Sequence, residues 1–209
     1  MLDFSPTRML FVIPAIIISL SFHEYAHARV AYHYGDPTAK EEGRLTLNPL
    51  RHLDVVGTLL LIFAGFGWAK PVPVNPWYLG ADRKKKLMHV SIAGPLMNVL
   101  EALVGALIIS LIYHFVPYSP AANYFYNFFY YFVYINITLA IFNLLPVPPL
   151  DGSKILGGLL PNEQQHIIYE LERYGMAILL LLSFTGILGK IIGPIIWFFY
   201  DNLLKIVGM

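Results

Sequence analysis

Residues 23–27 read His23-Glu24-Tyr25-Ala26-His27, the pattern H-E-x-x-H. On a helix His23 and His27 fall at i and i+4, so both imidazoles leave from one face. Glu24 is about 60° around the barrel from His27, at roughly 100° per residue, and flanks the same point. Two imidazoles can hold Zn²⁺, and a carboxylate beside them can take a proton from a metal-bound water. The pattern lies inside an apolar run, Leu10 to Tyr34. Ionisable groups at membrane depth are costly and mark functional sites. The bland alternative, a surface helix end with two solvated histidines, does not suit these apolar flanks.

A hydrolytic zinc takes three protein ligands and a water. The chain has no cysteine, so the third ligand must come from His, Asp, Glu or Asn. Glu101 and Asp151 are the leading acidic residues at suitable depth. Asp151 follows the proline-rich break Pro146-Val147-Pro148-Pro149 and precedes Gly152. Irregular backbone at membrane depth is tolerated only where protein or a water-filled cavity surrounds it. Asp151-Gly152 could instead be a plain helix cap; beside the His-Glu pattern, the ligand reading is the stronger. Asn98 and Asn143 each allow two roles: hydrogen bonding between helices, or contact with a substrate backbone or a developing oxyanion. Gly94-Pro95 is a point of close packing or a kink.

These residues need elements to position them, and composition says which kind. Of 209 residues, 57% are hydrophobic and 13% charged, about half the charge of a soluble domain. The chain is therefore expected to be an all-α polytopic membrane protein of about 4–6 transmembrane helices. Its net charge of +1 gives no footing for nucleic acid. The first apolar run is too long for a cleavable signal and holds the His-Glu cluster. Leu10 to about Tyr34 predicts one spanning helix, with Pro14 as a kink position. Arg44 to Asn48 alternates like a short strand. Val55 to Phe66 is apolar but too short to span, which predicts a re-entrant segment. Ala69 to Asn75 is expected to be extended, because its prolines forbid a helix. Leu87 to Phe115 and Tyr124 to Leu145 predict a second and third long helix. Asn162 to Tyr174 predicts an amphipathic surface helix. Met176 to Leu204 predicts one long bent helix or two shorter ones.

Nine of the fourteen Lys and Arg lie between Arg29 and Lys86, and the loop Val116 to Asn123 has none. The positive-inside tendency then puts the region after the first helix in the cytoplasm. His23 would lie about 20 Å along its helix, roughly 10 Å short of the cytoplasmic edge of the hydrocarbon. The start of the second helix and the end of the third reach that same level.

Three segments together resemble the site-2 proteases, a family of intramembrane zinc metalloproteases. They are Phe22 to His27, Gly94-Pro95-Leu96-Met97-Asn98, and Asn143 to Gly152, the last fitting N-x-x-P-x-x-x-L-D-G at every fixed position. The likeness covers about Leu10 to Gly152. It implies that His23, His27 and Asp151 bind zinc, that Glu24 is the catalytic glutamate, and that Asn143 lies beside the active site. It also implies a three-helix catalytic core with short extended segments near the cytoplasmic face. Residues 1–209 are expected to form a single membrane metalloprotease domain, with helices beyond residue 152 and without PDZ or CBS modules.

The expected activity is hydrolysis of a peptide bond in or near a transmembrane segment of a membrane protein, at the cell membrane. Expected partners are that substrate and the bilayer, with no nucleic acid. A non-proteolytic membrane protein, such as a metal transporter or an inactive scaffold, is the competing function. So is a different membrane zinc protease with Glu101 as third ligand. His33, His52, His89, His114 and His166 are expected to be structural or interfacial.

Overall fold

The computed structural model describes residues 6–55, 57 and 69–209. Helix α1 runs Pro6–His33 and the short α2 Thr38–Glu41. After single turns at Pro49–Arg51 and Pro76–Leu79 comes α3, Arg83–Phe115. Helix α4 is Pro120–Asn143, α5 is Asp151–Leu159, α6 is Gln165–Phe184 and α7 is Ile187–Ile206. Among the described residues, four segments are long and apolar enough to cross a membrane: Arg8–His33, Arg83–Phe115, Pro120–Asn143 and Ile187–Ile206. No strand occurs among the described residues; one antiparallel bridge joins Leu53 and Ala69. The chain is an all-α multi-pass membrane protein.

Local chemistry sets several boundaries. Ser119 accepts a hydrogen bond from Ala122 N, and Pro120 occupies the first turn, where its missing N–H costs nothing. Pro146 lies just past α4, where it has no N–H to donate and disfavours a helical Leu145. The strand expected at Arg44 to Asn48 is absent. Asn48 caps the turn that follows by accepting from Leu50 N, and Pro49 takes the first position. Turn chemistry outweighs the alternating pattern there. The expected boundary near Tyr174 is also absent: α6 continues from its polar start into apolar residues and breaks at Thr185–Gly186. Polar residues at a helix face do not end a helix, whereas Gly186 takes a left-handed conformation that does. Ala69 to Asn75 forms no helix, as its prolines predict, and Asn75 itself is extended. The expected re-entrant segment, Val55 to Phe66, lies almost wholly outside the described residues.

Helices α1, α3 and α4 pack on one another and form the core that carries the site. Contacts from His27 to Val90 and from His23 to Asn98 show that α1 and α3 run antiparallel. Asn98 meets Asn136 of α4. Helix α5 packs against α3, and α7 closes the other side of α4. A hydrophobic cluster of Ala102, Ala106, Ile109, Val133, Ile192 and Tyr200 joins α3, α4 and α7. The outer faces are apolar as well, with Leu107, Leu111, Phe198 and Phe199 exposed. An apolar exterior on helices of this length is matched to lipid.

Candidate metal centre and catalytic cleft

One turn of α1 presents His23, Glu24 and His27, all buried. Helix α5 begins at Asp151 and aims that carboxylate at the same point. His23 Nε2 and His27 Nε2 are 3.0 Å apart. Asp151 Oδ2 lies 3.2 Å from the first and 3.1 Å from the second. A tetrahedral zinc with bonds of about 2.0–2.1 Å separates its ligand atoms by about 3.3 Å. These three groups could hold a metal ion, and the triangle is within a few tenths of an ångström of that requirement.

The atoms behind the imidazoles fix which nitrogen faces inward. His27 Nδ1 lies 2.7 Å from Val90 O, and a carbonyl only accepts, so Nδ1 carries the proton. His23 Nδ1 lies 2.7 Å from Asn98 Oδ1. Asn98 Nδ2 donates to Asn136 Oδ1 at 2.8 Å, and Asn136 Nδ2 donates to Phe132 O at 3.0 Å. Since that last carbonyl can only accept, the direction of the whole chain is set, and His23 must donate from Nδ1. Both Nε2 lone pairs therefore point at each other and at a carboxylate. Such an arrangement calls for a cation between them, and this donor set suits zinc. A carboxylate at Asp151 supplies the negative charge that such a cation needs from its ligands.

Two glycines make the approach possible. A Cβ on Gly94 would stand 2.5 Å from His23 Cε1 and 2.6 Å from its Nε2, and closer still to His27 Nε2. Only a residue without a side chain lets α3 lie against both imidazoles. A Cβ on Gly152 would overlap the Leu144 and Leu145 carbonyls, so a glycine after Asp151 lets the start of α5 sit on the end of α4.

A cavity of about 120 Å³ opens beside the triad. His23, Glu24, His27 and Asp151 line it together with Asn143 and Lys154. Val72 and Val74 of the segment Ala69 to Asn75 form another wall. Glu24 Oε2 accepts a hydrogen bond from Val72 N at 2.8 Å. Asn143 donates from Nδ2 to Leu139 O within its own helix, and its Oδ1 is free of partners among the described residues.

The two asparagines singled out from the sequence are thus placed differently. Asn143 faces the cavity. Asn98 is fully buried behind His23, with its amide engaged by His23 and Asn136. Glu101, the alternative third ligand, is outside the cluster; its carboxylate lies 3.5 Å from Asn98 Nδ2. Asn136 escaped the sequence reading. Its signal was an amide between Ile135 and Ile137 in an apolar helix, where polar side chains find partners on neighbouring helices. Four of the five remaining histidines bond elsewhere: His52 to Thr46 O, His89 to Tyr34, His114 to Gly208 O and His166 to Glu163 O; the His33 ring lies against Tyr34.

Comparison with known proteins gives the family. The model of Peptidase family M50 matches residues 109–185. Three similar proteins carry the name "Putative zinc metalloprotease". YwhC of Bacillus subtilis is 40% identical over 203 residues, covering 95% of this chain and 91% of its own. Rip2 of Mycolicibacterium smegmatis is 29% identical over 195 residues, covering 91% and 73%. MJ0611 of Methanocaldococcus jannaschii is 33% identical over 152 residues, 71% of each chain. No solved structure matches this chain. With its four spanning helices and its buried two-histidine, one-aspartate site, the chain belongs to the site-2 proteases, peptidase family M50, and is a membrane metalloprotease.

Proposed function

We propose that this protein is an intramembrane zinc endopeptidase that hydrolyses a peptide bond in or near a transmembrane segment of a membrane protein. The observation that carries the reading is the placement of His23, Glu24, His27 and Asp151 around one cavity, on or beside helices long enough to span a bilayer. His23, His27 and Asp151 would hold a zinc ion, whose chemistry there would be Lewis acidity toward the scissile carbonyl and a lowered pKa for a water. Glu24 accepts a proton from that water on a carboxylate oxygen and delivers it to the leaving amine. Asn98 and Asn136 keep His23 in the tautomer that ligates. Asn143, with Oδ1 free at the cavity, is placed to bond a substrate amide.

A helical substrate hides its peptide groups in its own hydrogen bonds, so it is cut in an extended form. The segment Ala69 to Asn75 offers an edge for it. Val74 makes no hydrogen bond through N–H or C=O among the described residues, and Val72 and Val74 face the cavity. Strand addition there would bring the substrate backbone past the metal. The clustering of basic residues between Arg29 and Lys86 supports a cytoplasmic-side site in the cell membrane.

The test is a comparison of membrane proteomes from cells holding the active enzyme or Glu24→Gln. A membrane protein that accumulates uncut with the variant, co-purifies with it, and is cleaved in vesicles by the wild type is the expected result. Equal proteomes and no cleavage in vesicles refute the protease reading. Labelling of cysteines placed at Lys84 to Lys86 from the cytoplasmic side only is the expected orientation; labelling from outside reverses it.

A further inference from the structure

The segment from Lys70 to Asn75 lines the cleft as a strap through Pro71, Val72 and Val74, and its backbone is pinned at both ends. Lys70 N donates to His52 O at 2.8 Å. The buried Arg44 donates from Nη2 to Lys70 O at 2.6 Å and to Pro71 O at 3.3 Å. Asn75 N donates to Asp36 Oδ2 at 2.7 Å. Asp36 is fully buried, and its other oxygen accepts from Thr38 N and Thr38 Oγ1. Between these anchors the Val72 amide meets the Glu24 carboxylate. Val72 N lies 2.8 Å from Glu24 Oε2, and no other group hydrogen-bonds the Glu24 carboxylate among the described residues. Pro71 and Pro73 flank Val72 and have no N–H to offer in its place.

From this geometry we infer that the strap positions the general base: the main-chain N–H of Val72 holds Oε2 of Glu24, leaving Oε1 to receive the proton from water. This inference rests on the protease reading and extends it to a residue whose side chain does no chemistry. A carboxylate on a flexible stem has many rotamers. One charge-assisted bond from an anchored amide selects among them. The strap is fixed at both ends without Glu24, so the amide orders the carboxylate and not the reverse. Val72 is therefore a positioning residue. The same element that flanks the cavity also sets the base, which ties substrate docking to proton transfer.

Two measurements test the inference on the full-length, zinc-loaded protein in detergent or vesicles. The first is amide hydrogen exchange over residues 71–74, where only Val72 and Val74 carry N–H groups. Val72 is expected to exchange at least about tenfold more slowly than Val74, and to lose that protection in Glu24→Ala. Equal exchange of Val72 in wild type and Glu24→Ala overturns the inference, whether or not any substrate is cleaved. The second compares Val72→Pro with Val72→Ala. Both remove the valine side chain, and only the proline removes the donor. Val72→Pro is expected to have a kcat about 10–10²-fold below that of Val72→Ala, as for a displaced catalytic group, with similar KM and zinc content. Equal kcat in the two variants overturns the positioning role while leaving the protease reading intact. A wild-type protein that cleaves no membrane substrate refutes that reading and the positioning role with it.

Discussion

The end of the bundle around His23 and the cluster around Ile109 are built from the same helices by different rules. At the first, buried polar atoms are joined in a directed chain from Phe132 O through Asn136 and Asn98 to His23. Each bond sets the donor and acceptor sense of the next. At the second, Ala106, Ile109, Val133 and Ile196 touch without direction, and Tyr200 is held by the rings of Tyr130, Tyr134 and Trp197. Apolar contacts tolerate exchange of one shape for a similar one. A polar chain does not, because each lost partner strands another buried group. Changes of equal size should therefore act on function at one end and on packing alone at the other.

The largest break is removal of a ligand. His23→Ala or Asp151→Ala should lose most of the roughly one zinc per chain expected of a single three-ligand site, and all cleavage with it. Metal analysis of purified protein decides this; full zinc in both variants would sink the ligand assignment. Glu24→Gln comes next. The amide keeps the size of the carboxylate but cannot take a proton at neutral pH, so the turnover of a cleaved substrate should fall about 10²–10⁴-fold. Zinc should stay bound, and its loss would make Glu24 a ligand. Gly94→Ala puts a methyl group into both imidazoles. It should weaken zinc binding by more than the conservative size of the change suggests, as read by competition with a chelator.

Smaller effects sharpen the contrast. Asn98→Ala leaves His23 Nδ1 without its acceptor and should weaken zinc affinity about 10–100-fold, the usual range for a group that orients a ligand. An unchanged affinity would mean that packing alone orients His23. Ile109→Val in the apolar cluster should cost about 1 kcal/mol of stability in detergent unfolding. It should leave zinc content and turnover within error; a change in either would show that the two regions are coupled.

Much of this arrangement is local, and so readable from residue order. A helix fixes His23 and His27 on one face whatever surrounds it, and an apolar run of spanning length fixes that helix in a membrane. Closely spaced prolines at residues 71–73 and 146–149 disfavour a helix, so the non-helical course of residues 69–75 and the turn before Asp151 were also legible. Short-range pattern failed at Arg44 to Asn48, where Asn48 and Pro49 made a turn instead of a strand, and at α6, whose polar start gave no reason to expect an unbroken helix to Phe184.

The tertiary structure alone decided what joins distant residues. Asn98 backs His23 across 75 positions, and Val72 reaches Glu24 across 48. Gly94 matters because two imidazoles occupy the space its side chain would take. Sequence spacing carries helix geometry faithfully because 3.6 residues per turn is a property of the backbone. It carries no information on which face of α3 meets which face of α1. That pairing is set by the summed packing of α1, α3 and α4, and only then does one buried asparagine become a brace for His23 while the other, Asn143, faces the cavity.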